Sequence, residues 1–440
     1  MDQLHKDARI IVERAIEANM PEDAVSAALD GHDFGGDGKN IALLAIGKAA
    51  WRMARAAREK LGERIKNGIV ITKYGHSMGE IPGVEIIEAG HPLPDENSVR
   101  GTEKAVAMAE NLGPEDELLF LISGGGSALF EMPLPGVTLD ELIEINDRLL
   151  ACGANIIEIN TIRKRLSAVK AGRFAKLCRD TKIFAVALSD VLGNRLDSIA
   201  SGPAAPDEST SEEAMEIVRK YDLALTDKMK MNISTETPKK IDNVRTVITG
   251  SVDTLCDFAA DVAGILYYTP HILCTDMNCE AREAGRLAAA IARRVNGGDD
   301  SFKSPCAIIM GGETVVNLKG KGKGGRNQEF VLAAAQGIAG MENTVIISVG
   351  SDGTDGPTDA AGGFVDGATA AELRAKGINI DETLRNNDSY NALKAADRLI
   401  ITGPTGTNVN DVAVILCGGA KKTSPTRELL RTADKEASPA

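Results

Sequence analysis

The most constraining feature of this sequence is the segment 118–133, which reads L-L-F-L-I-S-G-G-G-S-A-L-F-E-M-P. Its first five residues form an unbroken apolar run, as is typical of a strand buried on both faces of a parallel sheet. Ser123, Gly124, Gly125, Gly126 and Ser127 follow directly. Three glycines let backbone N–H groups approach a ligand oxygen, and the serines add hydroxyl donors. A tight turn is the alternative, but one glycine usually suffices for a turn, so we predict an anion-binding loop.

The rest of the chain alternates apolar strands with helix-like stretches, which predicts an α/β fold. Strands are predicted at residues 41–46, 69–72, 84–89, 118–122 and 183–188, and then at 246–248, 270–274, 306–310, 344–349, 399–402 and 412–416. The repeated β-then-α order in the first half predicts a Rossmann-like, mostly parallel sheet with helices on both faces. Segments 314–319 and 363–366 alternate polar and apolar residues, so a mixed sheet is predicted in the second half.

At 440 residues the chain is too long for one ordinary core, and two domains are expected. The polar segment 232–245 is the best boundary candidate, which gives predicted domains 1–240 and 241–440. Residues 1–19 have the pattern of a short amphipathic helix and not of a secretory signal.

Composition excludes several classes of function. The net charge of −13 argues against nucleic acid as a partner. No run approaches the roughly 18 apolar residues of a membrane span. Seven scattered cysteines without a C-x-x-C pair suggest neither a disulfide framework nor a zinc site, which predicts a reducing, cytoplasmic location.

Two further segments of the first half are candidate ligand contacts. Lys48 follows a buried strand at the start of a helix, where a cation makes sense if an anion lies beside it. A solvated surface lysine is the alternative. Residues 189–203, S-D-V-L-G-N-R-L-D-S-I-A-S-G-P, offer Asp190, Asn194, Asp197 and Ser201 after another strand. Asp and Asn are also ordinary turn residues, so this segment is weak evidence by itself.

The second half carries positive charge and carboxylates in glycine-rich loops. Glu313 follows a strand, and Lys321, Lys323 and Arg326 lie next to glycines, before a helix that begins near Asn327. That combination predicts an anion site, with a flexible hairpin tip as the alternative. The loop S-D-G-T-D-G-P-T-D, residues 351–359, adds Asp352 and Asp355. Hard oxygen ligands in such a loop suit Mg²⁺ bound partly through phosphates, so Glu313, Asp352 and Asp355 are predicted metal ligands.

Phosphate-binding glycines, isolated cations and magnesium-compatible carboxylates together favour phosphoryl transfer. The chain has no G-x-x-x-x-G-K-[ST] motif of the Walker-type NTPases. A rival motif is G-x-G-x-x-G at residues 320–325, the fingerprint of dinucleotide-binding dehydrogenases. Its preceding strand alternates in polarity, and Asp352 lies further downstream than the usual ~20 residues, which weakens this rival interpretation.

The motifs resemble those of the type-2 glycerate kinases, whose carboxyl-terminal region is the MOFRL domain. The matching segments lie in the family's order between about residues 40 and 415: I-G-K-A-A, L-I-S-G-G-G-S-A-L, N-T-I-R-K-R-L-S-A-V-K-A-G-R, S-D-V-L-G-N through I-A-S-G-P, G-G-E-T-V, G-G-R-N-Q-E, D-G-T-D-G-P-T-D-A-A-G and T-G-P-T-G-T-N-V-N-D. One departure is visible, because Asn194 and Leu192 stand where the family often has Asp and Pro. An essential charge at position 194 is therefore in doubt.

The resemblance implies ATP- and Mg²⁺-dependent phosphorylation of D-glycerate at its 2-hydroxyl, with the active site in a cleft between two α/β domains. Lys48 and Arg326 match the family's active-site cations, Asp190 its acidic strand end and residues 123–127 its glycine loop. We expect Lys48, Asp190 and Arg326 to be catalytic. The glycine loop, Asn194, Ser201, Gly202 and Asn327 are expected to bind ATP. Some relatives are labelled hydroxypyruvate reductases, so an NAD(P)H-dependent reductase stays open, as do a nucleotide-binding regulator without turnover and a homodimer.

Overall fold

The computed structural model describes residues 3–35, 40–189, 191, 193, 195–298 and 302–418. It contains two compact units, each of which has a six-stranded sheet. The first unit comprises residues 21–250, and the second comprises residues 1–20 and 251–440. The predicted α/β class with two sheets is confirmed.

The strands in the described residues are, in chain order, β1 (Ile41–Ile46), β2 (Ile65–Lys73), β3 (Val84–Ala89), β4 (Glu117–Ile122), β5 (Lys182–Leu188), β6 (Val244–Gly250), β7 (Thr269–Met277), β8 (Cys306–Gly312), β9 (Thr344–Gly350), β10 (Gly362–Asp366), β11 (Leu399–Ile400) and β12 (Asp411–Cys417). Segment 314–319 has alternating polarity but forms no strand, and within it only Val315 makes an isolated bridge, to Glu280.

The α-helices in these residues are α1 (Gln3–Glu17), α2 (Pro21–Asp30), α3 (Ala50–Leu61), α4 (Glu96–Glu110), α5 (Gly126–Leu129), α6 (Leu139–Ala151), α7 (Ile156–Leu166), α8 (Arg173–Leu177), α9 (Ser211–Lys220), α10 (Asp227–Ser234), α11 (Val252–Ile265), α12 (Ala281–Asn296), α13 (Arg326–Gly337), α14 (Thr369–Ala375), α15 (Ile380–Arg385) and α16 (Ser389–Ala395). No helix among them is both long and apolar enough to cross a membrane.

The first unit is built on a wholly parallel sheet with the strand order β3-β2-β1-β4-β5-β6. All side chains of β1 and β4 are buried, as their continuous apolar runs predict. One face of the sheet packs against α2 and α3, and the other packs against α4, α5 and α8. The predicted Rossmann-like sheet with helices on both faces is therefore confirmed.

The sheet of the second unit is mixed, with the order β11-β10-β9-β12-β8-β7. β7 and β8 are parallel, whereas β12 runs antiparallel to both of its neighbours, β8 and β9. Its core includes small residues of α12 and α13 packed beside apolar residues of β8, β9 and β12. The predicted mixed sheet is confirmed, and β10 is its alternating strand.

The unit boundaries differ from the predicted domains 1–240 and 241–440. β6 pairs in parallel with β5, so residues 246–248 belong to the first sheet, not to the second as predicted. The polar segment before β6 is no linker, because Thr237 donates a hydrogen bond to the buried Asp207 and the Lys239 ammonium donates to the carbonyl of Ser209. The polar side chains of this segment therefore form hydrogen bonds within the first unit.

The amino-terminal helix α1 belongs to the second unit, where it packs against α11 and β9. Asp7 is buried and accepts a hydrogen bond of 2.8 Å from the Tyr268 hydroxyl. Asn19 accepts one from Thr254 through its side chain and one from Thr407 through its carbonyl. Because these contacts are remote in sequence, the amphipathic pattern predicts α1 but not its partner.

Helices α12 and α13 approach closely at Gly285. A Cβ built on Gly285 would lie 2.0 Å from the carbonyl oxygen of Phe330. Real Cβ atoms do not come that close, so the two helices touch only because position 285 carries no side chain.

We predict that Gly285→Ala destabilises the protein by about 1–3 kcal/mol, since an added methyl group overpacks the α12–α13 contact. The matched control is Gly264→Ala in α11, where a Cβ meets nothing within 4 Å. Alanine there should be neutral or stabilising by about 0.5–1 kcal/mol. Urea unfolding of both variants measures the difference, and equal stabilities would refute the packing argument.

Candidate functional site

The first unit places Lys48 and the glycine loop where the strand order reverses. The chain runs outward from β1 through β2 to β3 and then returns to the other side of β1 as β4. Ligands of such sheets bind outside the carboxyl ends of the two strands at this switch point. Lys48 follows the end of β1 and Ser123 follows the end of β4, so both lie there.

Hydrogen bonds join the two strand ends into one rigid turn. The backbone N–H and the hydroxyl of Ser123 both donate to the carbonyl of Ile46. In return, the N–H of Lys48 donates to the carbonyl of Gly124 at 2.9 Å. Gly47, with φ of 113°, permits this crossing, because a Cβ there would lie 2.2 Å from the Ser123 hydroxyl oxygen. The position of Lys48 relative to the glycine loop is thus fixed by the backbone.

The glycine loop leaves donors available for an anion. In the part of the chain that the structure describes, the N–H groups of Gly124, Gly125 and Ser127 donate to no acceptor. The half-buried Lys48 ammonium likewise has no hydrogen bond or ion pair with a described residue. A Cβ on Gly125 would lie 3.3 Å from Cγ of Lys48, so the lysine stem runs beside the loop. One cation and three open N–H groups together suit a phosphate or carboxylate.

A second basic group, His91, packs against the same loop. Its Nε2 would lie 3.1 Å from a Cβ on Gly125. Burial and the nearby charges of Lys48, Lys73 and His76 lower the pKa of His91 to about 4. The ring is therefore neutral at physiological pH, in a region that already holds two lysines and a second histidine. No sequence pattern marks His91 as a site residue, because its approach to the loop depends on tertiary structure.

The segment after β5 meets the glycine loop through serine. The hydroxyls of Ser127 and Ser201 are 2.7 Å apart. Ala200, Ser201 and Gly202 all have positive φ, of 50°, 61° and 67°, which is unusual for residues with a Cβ. The structure thus brings the predicted Ser201 to the loop, whereas the carbonyl of the predicted Gly202 accepts a hydrogen bond from the N–H of Gly172. The predicted Asp190 and Asn194 lie outside the described residues.

The basic segment after α6 is mostly an internal structural network. Lys164 pairs with Asp207 and Asp197, and the fully buried Lys170 pairs with Glu131 at 2.5 Å. Burial lowers the pKa of Lys170 to about 8, against the opposing effect of Glu131. Arg163 differs from these lysines, because its Nε is enclosed without an acceptor in the described structure. Arg163 is thus a further cation of the first unit, and no sequence pattern marks it as a candidate site residue.

The second unit collects polar side chains at one edge of its sheet. Glu313 follows the carboxyl end of β8, and Asp352 follows that of β9. Asp411 begins the antiparallel β12, where it lies opposite Gly312 of β8 and Gly350 of β9. Carboxyl ends of two strands and the amino end of the strand between them therefore meet at this edge.

Arg326, the first residue of α13, is held by two of these carboxylates. Its Nε and Nη2 donate to the two oxygens of Asp411 at 2.5 and 2.9 Å, and its Nη1 donates to Glu313 at 2.7 Å. Burial alone would lower the pKa of Arg326, but the hydrogen bond and charge of Asp411 raise it. Burial raises the pKa of Asp411, against the hydrogen bond from Arg326. The sequence of the 402–411 loop suggests no role for it, whereas the structure shows that its last residue, Asp411, holds Arg326.

Asp355 caps the start of the same helix. Its two oxygens accept hydrogen bonds from the backbone N–H groups of Asn327 and Gln328 at 3.2 and 2.9 Å. Asp355 is buried, and burial raises its pKa to about 7, against those backbone hydrogen bonds. Asn327, a predicted ATP contact, is also buried and accepts a hydrogen bond from Ser348 at 2.6 Å. Both side chains therefore face the interior of the second unit.

Known proteins resemble the chain over nearly its whole length. Residues 7–234 match the family described as Domain of unknown function (DUF4147), and residues 306–411 match the MOFRL family. A D-glycerate 2-kinase of Thermotoga maritima is 51% identical over 94% of this chain and 98% of its own length. The chain belongs to the glycerate 2-kinase family.

The chain is also similar to a solved structure and to a relative with a different name. The crystal structure of glycerate kinase from Thermotoga maritima superposes with a TM-score of 0.91 at 51% identity, covering 94% of this chain and 99% of that one. A putative hydroxypyruvate reductase of Agrobacterium vitis is 39% identical over 86% of this chain and 99% of its own length. The predicted resemblance to glycerate 2-kinases is confirmed.

The glycine-rich segment of this family member is not a flexible tip. The N–H groups of residues 319–323 donate to Asn386, Asn387 and Asp388. Cβ atoms at Gly320, Gly322 and Gly324 would lie within 2.4 Å of residues 386–389. The three glycines of G-x-G-x-x-G (320, 322 and 325) are also not preceded by a strand. Their spacing is explained by close packing inside the second unit, and not by a dinucleotide.

The predicted magnesium ligands do not form a metal centre in this structure. No group of three or more His, Cys, Asp or Glu residues in the described ranges could hold a metal ion. Asp355 uses both oxygens on backbone N–H groups, Glu313 is bound to Arg326, and Oδ1 of Asp352 accepts from Thr354. These three carboxylates therefore do not fit a metal ion whose ligands all come from the protein.

We predict that the pKa of His91 is about 4 in the free protein and rises by about 1 or more when phosphate binds beside Lys48, since an adjacent anion favours the imidazolium. NMR titration of the histidine ring signals with and without inorganic phosphate measures both values. His32, beside Glu117 at the amino end of β4, is the control whose signals should not respond. An ordinary pKa near 6.5 for His91, or none of the expected response, contradicts the site.

Proposed function

We propose that the protein phosphorylates the 2-hydroxyl of D-glycerate with ATP and forms 2-phosphoglycerate. The observation that carries this proposal is the anion site of Lys48 and the glycine loop, whose cation and three N–H groups have no acceptor in the described structure. It lies at the switch point of a parallel sheet, in a chain 51% identical to a D-glycerate 2-kinase. A donor set of this kind suits the oxygens of a phosphoryl group.

The proposed roles follow from what phosphoryl transfer requires. Such a transfer depends on positioning and charge neutralisation more than on covalent participation by the protein. The N–H groups of Gly124, Gly125 and Ser127 bind phosphate oxygens, and Lys48 neutralises charge beside them. Arg326 binds the carboxylate of glycerate or the phosphoryl group. We assign Asp190 as the base or orienter of the reacting hydroxyl, because it follows β5, the neighbour of β4.

Magnesium enters this proposal with the nucleotide. Mg²⁺ commonly keeps several waters and binds through substrate phosphates and few carboxylates. The carboxylates of Glu313 and Asp355 are already bound within the protein, so phosphate oxygens and water are its proposed ligands. We place the reaction in the cytoplasm, because all seven cysteines are unbridged.

A reductase is the less favoured function. It would need a bound nicotinamide nucleotide, and the only motif that suggests one is packed against residues 386–389. We therefore expect ADP and 2-phosphoglycerate from ATP, Mg²⁺ and D-glycerate, identified by ³¹P NMR. NADH with hydroxypyruvate should give no oxidation above background. NADH oxidation without glycerate-dependent ADP release would refute the kinase.

We also predict that Lys48→Met lowers kcat by about 10²–10³, the usual cost of losing one donor at a developing charge. The matched control is Lys66→Met. It removes the same charge from an exposed position at the amino end of β2, whereas Lys48 follows the carboxyl end of β1. It should leave kcat unchanged. If both variants lose activity equally, or neither does, Lys48 is not part of the catalytic site.

A further inference from the structure

The second unit contains two clusters that look alike but differ in one respect. In each, an arginine contacts a largely buried aspartate and a half-exposed glutamate. Arg326 contacts Asp411, whose side chain is 6% exposed, and Glu313, which is 45% exposed. Arg398 contacts Asp366 and Glu372, which are 14% and 41% exposed. The side chain of Arg326 is itself 33% exposed and that of Arg398 only 15%, so the side chain of Arg326 is the more accessible.

Asp411 has the geometry of a fixed support. It takes both the Nε and the Nη2 hydrogen bonds, which is the side-on, two-point arrangement that orients a guanidinium best. Its backbone lies in the central strand β12, between β8 and β9. Arg326 is the only cation that pairs with Asp411 in the described part of the chain, and a buried carboxylate that loses its partner is strongly destabilising, so we expect Asp411 to stay in place.

Glu313 has the geometry of an exchangeable partner. It uses a single oxygen on Nη1, and its other oxygen accepts a longer hydrogen bond of 3.3 Å from Asn410. Because nearly half of its side chain is exposed, water can solvate the carboxylate once it moves away. An incoming anion at Nη1 would restore the same balance of charge around Arg326.

We propose that Glu313 occupies the place of the substrate's anionic oxygen on Arg326, and that Asp411 is the positioning residue that aims the guanidinium at it. Substrate binding then exchanges one carboxylate for another anion at Nη1. A hydrogen bond changes its acceptor, and no covalent bond is made or broken. The oxygen belongs to the carboxylate of glycerate or to a phosphate of ATP. This inference rests on the proposed function, since it takes Arg326 as a substrate-binding residue.

The first test is binding of D-glycerate and of ATP, each alone, to Glu313→Gln by isothermal titration calorimetry. Without a competing carboxylate, the Kd of one ligand should fall at least about fivefold, the lower end of usual couplings. The ligand that responds identifies the source of the oxygen. Glu372→Gln is the matched control and should change neither Kd. Unchanged or weaker binding of both ligands to Glu313→Gln overturns the inference.

The second test is a double-mutant cycle that separates positioning from mere stability. Asp411→Asn should lower kcat/KM about 10²-fold, as misplacement of a catalytic group does. In an Arg326→Lys background the same change should have almost no further effect, because the side-on pairing is already lost. Asp366→Asn controls for the loss of a buried carboxylate. Additive effects of Asp411→Asn and Arg326→Lys would overturn the positioning role.

Failure of the inference can be told from failure of the proposed function. If wild-type protein binds neither D-glycerate nor ATP and forms no 2-phosphoglycerate, the proposed function is wrong. If wild type binds and turns over both, but Glu313→Gln binds them as wild type does, only the inference is wrong.

Discussion

The junction between the ends of β1 and β4 is the constraint on which the first unit depends. Ser123 donates twice to Ile46, and Lys48 donates to Gly124. With these carbonyls occupied, the N–H groups of Gly124, Gly125 and Ser127 donate to no acceptor among the described residues. Rigid hydrogen bonding on one side of the loop thus produces open donors on the other. A preorganised donor set of this kind does not have to reorganise when charge develops on a bound phosphoryl group.

The candidate site residues Lys48 of the first unit and Arg326 of the second differ in whether a carboxylate compensates their charge. The first unit leaves Lys48 without a counter-ion in the described residues and keeps His91 neutral by burial and by its basic neighbours. The second surrounds Arg326 with Asp411 and Glu313, so the arginine is compensated before any ligand arrives. An open cation attracts an anion directly, whereas a compensated one admits an anion only by exchange. The second arrangement favours ligands that match the geometry of the carboxylate they replace.

Much of the fold was predictable, because long apolar runs mark buried parallel strands whatever surrounds them. The sequence also predicts that the glycine loop and Lys48 contact an anion, since each follows such a run. Contacts between remote residues were not predictable. The roles of Asp411 and Asp355 arise only when β12 and the 351–359 loop meet the start of α13. The polar segment before β6 suggested a linker, although its side chains bond to Asp207 and Ser209.

The place of α1 in the second unit has a consequence for synthesis of the chain. Helix α1 leaves the ribosome before the first unit, yet its partner helix α11 begins only after the whole first unit, residues 21–250, has been made. At about 5–20 residues per second, that interval lasts roughly 10–50 s. During it the apolar face of α1 lacks its partners α11 and β9, while the sheet of the first unit can already form. The second unit is thus assembled from two segments, one made before the first unit and one made after it.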